Sequence, residues 1–178
     1  MKVLKFITCI TMPLLVYSCC WNGVCDDDDN VEPINSKYEP ITLNRKEFEE
    51  SIILSSPRKI QKSGKIYVIK KFLYINDVNK GFHIYDNSDP VNPILLHFLS
   101  VPGATDLAIR NDTFYINQAT DLIAISTNIN ENSIKITKRI PNTFPKITPP
   151  DGFFSDPIPE DHVIIDWKKK ENTNPPQN

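Results

Sequence analysis

Beyond residue 25 the chain has no cysteine: all four (Cys9, Cys19, Cys20 and Cys25) crowd into its first stretch. The body therefore carries no disulfide, no thiol nucleophile and no thiolate metal site. Glycine is scarce as well. The five glycines, at 23, 64, 81, 103 and 152, are scattered, and none of the phosphate-cradling or nucleotide-binding fingerprints occurs. There is no basic excess either. Twenty Lys and Arg stand against 22 Asp and Glu, a net charge of −2 with no basic stripe, which argues against a nucleic-acid partner. No apolar run reaches the roughly twenty residues that a membrane-spanning helix needs. His83, His97 and His162 are dispersed, and two of them sit in strand-like runs, so they read as strand-face residues rather than ligands. No catalytic residue, metal or cofactor is expected.

What is present begins at the N-terminus. Lys2 and Lys5 precede a mostly apolar stretch, Phe6 to Tyr17, as in an export signal. The segment Leu15-Val16-Tyr17-Ser18-Cys19 resembles a bacterial lipobox, with Val16 at the aliphatic position and Ser18 as the small residue before the cysteine. The resemblance implies cleavage after residue 18 and lipidation of Cys19, and two or three acyl chains hold a protein firmly on a membrane. Asp26, Asp27, Asp28 and Asp29 follow. Such a run is a solvated, self-repelling tether by default. It also resembles the acidic export signal that some Gram-negative lipoproteins carry after the lipidated cysteine, which implies outer-membrane anchoring with display at the cell surface.

Residues 19–60 read as anchor, tether and lead-in, with one helical candidate, Arg45 to Leu54, that places Phe48 and Ile52 on one face. From Lys65 onward, short runs rich in Ile, Val, Phe and Tyr predict eight strands, which makes the body all-β. They are Lys65–Lys70, Phe72–Asn76, Phe82–Asp86, Ile94–Ser100, Asp106–Asn111, Thr113–Gln118, Leu122–Ser126 and Ser133–Ile140. Lys70-Lys71 and Asn111-Asp112 are the expected tight turns. A shift of 41 residues lays Tyr74-Ile75-Asn76 on Tyr115-Ile116-Asn117, and Phe82-His83-Ile84 on Ile123-Ala124-Ile125, with no gap. Four strands per 40 to 45 residues is the period of a propeller blade. Two four-stranded antiparallel blades are expected, about 64–104 and 105–145, forming an incomplete propeller. A proline-rich return follows at 146–167, with a short strand His162 to Trp167, and 168–178 is expected to be a disordered tail.

The run Gly81-Phe82-His83-Ile84-Tyr85-Asp86-Asn87-Ser88-Asp89-Pro90-Val91-Asn92-Pro93 resembles the core of the LVIVD repeat. In that repeat a glycine opens an apolar strand that ends in aspartate, followed by a serine-aspartate-proline turn and a second proline; Gly81, Asp86, Ser88, Asp89, Pro90 and Pro93 fill these places. Such repeats occur in bacterial surface lipoproteins. In the second copy Ser126-Thr127-Asn128 replaces the turn, and related proteins carry more than two blades.

Two blades leave two outer faces and the sheet edges uncovered. Residues 30–60 and the strand at 162–167 are the available covers, and Phe144, Phe153 and Phe154 are candidates to pin the return. Homo-oligomerisation through the uncovered edges is the other expected solution. Asp86 and Asp89 belong to turn chemistry, and Asp106 and Asp121 form no more than an acidic pair. Tyr67, Tyr74, Tyr85 and Tyr115 suit cross-strand packing, with a carbohydrate or peptide platform as the alternative. The expected function is a lipid-anchored, non-enzymatic β-repeat module that binds a protein or glycan partner. The alternatives are an enzyme or accessory component of extracellular glycan or nutrient use, and a truncated relative of a larger propeller.

Overall fold

The computed structural model describes residues 36–129, 133–153 and 157–171. Within them the chain is all-β with antiparallel sheets and one short helix. β1 (Tyr38–Asn44) leads into α1 (Arg45–Glu50) and β2 (Ile53–Ser55). β3 (Ser63–Ile69), β4 (Phe72–Asp77), β5 (Gly81–Asp86) and β6 (Ile94–Ser100) form one meander. β7 (Leu107–Arg110), β8 (Thr113–Gln118), β9 (Asp121–Asn128) and β10 (Ser133–Ile140) form a second, and β11 (His162–Lys169) closes the list of elements. The first sheet has the order β2-β6-β5-β4-β3 and the second β10-β9-β8-β7. A third sheet pairs β1 with β11. No helix among the described residues is long and apolar enough to cross a membrane.

Turn chemistry sets the hairpins. Asn111 and Asp112 both take positive φ (50° and 60°) between Arg110 and Thr113, the backbone that a two-residue hairpin loop needs. Lys70, at φ 52°, opens the matching turn between β3 and β4. Gly81 has φ 137°, and a Cβ there would lie 2.0 Å from the Leu99 carbonyl oxygen, so no other residue fits the start of β5.

The four-strand unit recurs in detail. Val78 N donates to Lys62 O, and 41 residues on Ala119 N donates to Gly103 O. In the same way Gly103 N donates to Asn79 O and Phe144 N to Thr120 O. The pairings of β3 with β4 and of β7 with β8 match at that shift, Tyr67 opposite Tyr74 and Ala108 opposite Tyr115. β6 and β10 both bulge at the same place, skipping Leu96 and Thr137.

The gapless alignment fails at one point. Between β4 and β5 three residues separate the paired Asp77 and Gly81, but between β8 and β9 only two separate Gln118 and Asp121. The equivalence therefore drops to 40 residues for β9: Phe82 and Ile84 correspond to Leu122 and Ala124, not to Ile123 and Ile125. One residue flips every side chain of a strand to the other face. Ile123 and Ile125 thereby turn inward, opposite Ile116 and Phe114.

Inward means toward the first sheet. Tyr74, Phe82, Ile84 and Leu99 of that sheet meet Leu107, Phe114, Ile116, Ile123 and Ile125 of the second in a buried core, with the Tyr74 and Phe114 rings 5.2 Å apart. Burying such a face is worth about 25 cal/mol per Å² of apolar surface and is the main support of the fold. A second cluster, Phe48, Ala119 and Ile165 with Ile41, Leu43 and Val163 against it, seats α1 and the β1–β11 ribbon on the β8–β9 turn.

Several expectations change here. The lead-in is not all tether: residues 38–44 form a strand. The helix expected over Arg45 to Leu54 ends at Glu50, because Ile53–Ser55 leaves it to pair with β6 as an edge strand. Its start is capped by Asn44, whose side chain accepts from Glu47 N. The C-terminal strand runs on to Lys169, into the segment expected as a disordered tail, and Lys170 N bonds Lys37 O. Phe144 and Phe153 are 38% and 43% exposed and do not pin the return, while Phe154 lies outside the described residues.

Candidate interaction surface

Three buried or half-buried carboxylates organise the polar interior, and each is fully engaged. Asp121, without exposed side-chain surface, accepts from Arg45 Nη1 and Nη2 (3.2 and 2.5 Å), Arg139 Nη1 (2.8 Å), Thr120 Oγ1 and Asn142 N. Both guanidinium groups also stand 5.5 Å from the Phe48 ring centre. Burial pushes the Asp121 carboxyl up, but these bonds outweigh it and hold the group below 3.8. Asp77 takes Gln61 N, Lys62 N and His83 Nε2, with Arg58 at 3.7 Å, and is likewise held low against the pull of burial. Asp166 receives Asn79 Nδ2 and Lys80 Nζ, tying β11 to the β4–β5 turn, and it too stays below the usual value. Every described carboxyl with a resolved displacement moves down, away from the near-neutral range that suits a general acid or base.

The polar cleft beside Asp121, ≈ 590 Å³, is bordered by Arg45, Glu49, Lys146, Glu160, Asp161 and His162 among others. Two of its bordering side chains are already engaged: Arg45 Nε donates to Glu49 at 2.7 Å, and His162 Nδ1 lies 3.0 Å from Thr42 Oγ1. The cleft joins the β1–β11 ribbon to the sheets. No group of three or more His, Cys, Asp or Glu gathers at metal-holding distance among the described residues.

The outer faces of the two sheets are different in kind. On the first sheet Ile66 and Val68 are 62% and 65% exposed, beside the half-buried Leu73, Ile75 and Tyr85 on the same face. Among the described residues only one end of that face is covered, where Arg58 lies 3.4 Å over the Phe98 ring and His83 is buried. On the second sheet Tyr115 stands among smaller neighbours, Ala108, Thr113, Leu122 and Ala124, with Ile140 46% exposed at the edge. Two grooves run along it. One of ≈ 640 Å³ lies between Ala108, Tyr115, Leu122 and the segment 144–148; the other, ≈ 370 Å³, is lined by Thr113, Tyr115, Ala124, Lys138 and Ile140. Exposed apolar side chains are thus found on the outer faces of both sheets.

No family model, curated protein or solved structure matches this chain.

Cys19 and Asp26 to Asp29 lie outside the described residues. Gly81 is buried at the head of β5, and the turn that follows is built as its residues suggest. Asp86 Oδ1 accepts from Ser88 N and Oγ (2.8 and 2.6 Å), and Asp89 accepts from Val91 N and Asn92 Nδ2, both at 3.1 Å. Pro90 and Pro93 sit exposed in the same connection. The four tyrosines form no common platform. Tyr74 is buried between the sheets, and burial pushes its hydroxyl to about 12. Tyr67 bonds Asp106 and also rises to about 12, from desolvation first and the carboxylate second. Asp106 and Asp121 share no site: the first is exposed and paired with Lys65, the second buried with two arginines. Sequence reading missed Arg45 and Arg139. The only local sign was an Asp at the head of an otherwise apolar strand, which needs cations brought to it.

Proposed function

We propose that this protein is a lipid-anchored, surface-displayed, non-enzymatic β-repeat module of the outer membrane, whose two meanders act as propeller-type blades that dock onto a partner. Cys19 is the lipidation site in this reading, and Asp26 to Asp29 the signal for display. The observation that carries it is the contrast between engaged polar groups and an open apolar face. The buried carboxylates are neutralised within the fold, whereas Ile66, Val68 and Tyr115 stand in solvent on outer sheet faces. The resemblance to the LVIVD repeat through Gly81, Asp86, Ser88, Asp89, Pro90 and Pro93 supports the same reading.

The test compares the mature protein with its Cys19→Ala variant in cells, by intact mass and by protease shaving of whole cells. Wild type is expected to carry lipid mass on an N-terminal Cys19, to sediment with membranes and to be shaved. An unlipidated wild-type N-terminus, or a membrane-bound Cys19→Ala protein, ends the anchoring claim. Resistance to shaving ends the display claim.

A further inference from the structure

We propose that the open face of the second sheet receives the outer face of the first sheet of another copy of this chain, stacked head to tail. The proposal deepens the docking reading above and rests on it for the role it assigns, but its evidence is the internal interface.

That interface is a template. Leu107, Ile109, Phe114 and Ile116 cover the first sheet, and their counterparts 41 residues earlier are Ile66, Val68, Leu73 and Ile75. Those four lie on the outer face of the first sheet, Ile66 and Val68 exposed and Leu73 and Ile75 half-buried. In turn Tyr74, which Phe114 covers, corresponds to the uncovered Tyr115. A second copy therefore presents the same strand positions, in the same order, that the second sheet already presents to the first.

Shape and charge agree with that occupant. The first sheet's face is bulky and projecting, while the second's has Ala108, Thr113 and Ala124 where the internal interface has Tyr67, Phe72 and Ile84, so grooves of ≈ 640 and ≈ 370 Å³ face the incoming side chains. Lys65 and Asp106 occupy equivalent positions and already pair across the internal interface. Both keep more than half of their side-chain surface exposed. In the stacked arrangement Asp106 of one copy meets Lys65 of the next, so the same ion pair recurs between copies. Phe144 to Thr148 border one of these grooves and leave ≈ 640 Å³ of it open.

The two faces are different surfaces, so the contact is heterologous. Such a contact closes into a ring if its rotation closes and otherwise grows as an open stack. A two-fold dimer is excluded for this pair of faces.

Sedimentation of the purified full chain in mild detergent tests it, with Val68→Lys and Ala124→Lys as variants at exposed or half-buried positions and circular dichroism melting as the check of folding. Wild type is expected to self-associate, and each variant alone to lose at least roughly tenfold in association constant. Mixing the two variants restores a one-to-one pair, because each keeps one intact face. In whole cells, a photo-crosslinker at Tyr115 is expected to capture a peptide containing Leu73 of another copy. A wild type that stays monomeric, a mixture that fails to pair, or a Tyr115 crosslink landing on a different protein overturns the proposal. The last outcome leaves the docking function standing, whereas an unlipidated N-terminus removes the anchoring and leaves self-association intact.

Discussion

Tyr74 and Tyr115 hold the same position in strands 41 residues apart, yet Tyr74 is 2% exposed with its ring 5.2 Å from Phe114, while Tyr115 is 38% exposed and no sheet of the described residues lies over it. One residue type at one repeat position thus serves as core in one unit and as surface in the other. Tyr74→Ala leaves a cavity between the sheets and is expected to cost about 3 kcal/mol, in the range of buried aromatic truncations. Tyr115→Ala is expected to stay within about 1 kcal/mol of wild type. Urea midpoints of the two variants, compared at constant slope, check the difference.

Gly81 meets a harder constraint. Its φ of 137° is strained for any L side chain, and the Leu99 carbonyl occupies the place of a Cβ. Gly81→Ala is expected to destabilise by about 3 kcal/mol, through backbone strain and separation of β5 from β6. Hydrogen exchange localises the effect. Loss of protection confined to β5 and β6 is the expected pattern, and unchanged stability would show the glycine to be dispensable.

Asp121 holds Arg45 and Arg139 against Phe48 and so fastens α1 to the second sheet. Asp121→Ala leaves Arg139, whose side chain is 14% exposed, without its counter-charge. Removing one partner of a buried pair costs about 3 to 5 kcal/mol; with Arg45 32% exposed and able to rehydrate, roughly 3 is expected here. Double removal, with Arg139→Met added, is expected to recover part of the loss. An additive loss in the double variant would refute the coupling.

Acid should unfold the protein through the same groups. Asp77, Asp121 and Asp166 sit below 3.8 in the folded state, so the stability they contribute is complete above that value and is lost as pH falls through their folded values. Thermal stability is therefore expected to be level from neutral pH to about 5 and to fall below about 4. The Asp121→Asn variant starts lower and falls less steeply. A parallel acid limb in wild type and variant would remove Asp121 from the account.

How much of this was legible varies by element. Strands β4, β8 and β10 follow alternation and turn residues closely enough that their bounds were readable within a residue. Asn111-Asp112 announced its turn because short polar side chains tolerate positive φ. Uncovered outer faces and sheet edges were both anticipated, and exposed apolar side chains occur on both, Ile66 and Val68 on the first sheet and Ile140 on the edge strand of the second. β1 was not legible at all: Tyr38 to Asn44 carries no clean alternation, and its partner β11 lies over 100 residues away.

What the sequence determined by itself is the local grammar: where strands start, how they turn, and that four of them recur. These depend on neighbours within a few residues, where side-chain period and backbone preference act directly. Tertiary structure alone decided the rest. It set the shorter β8–β9 turn that sends Ile123 and Ile125 inward, joined β1 to β11, and brought Arg45 to Asp121 across 76 positions. Such contacts form because burying a face or a charge is favourable only when a distant segment arrives to complete it, and no short stretch of chain encodes which segment that will be.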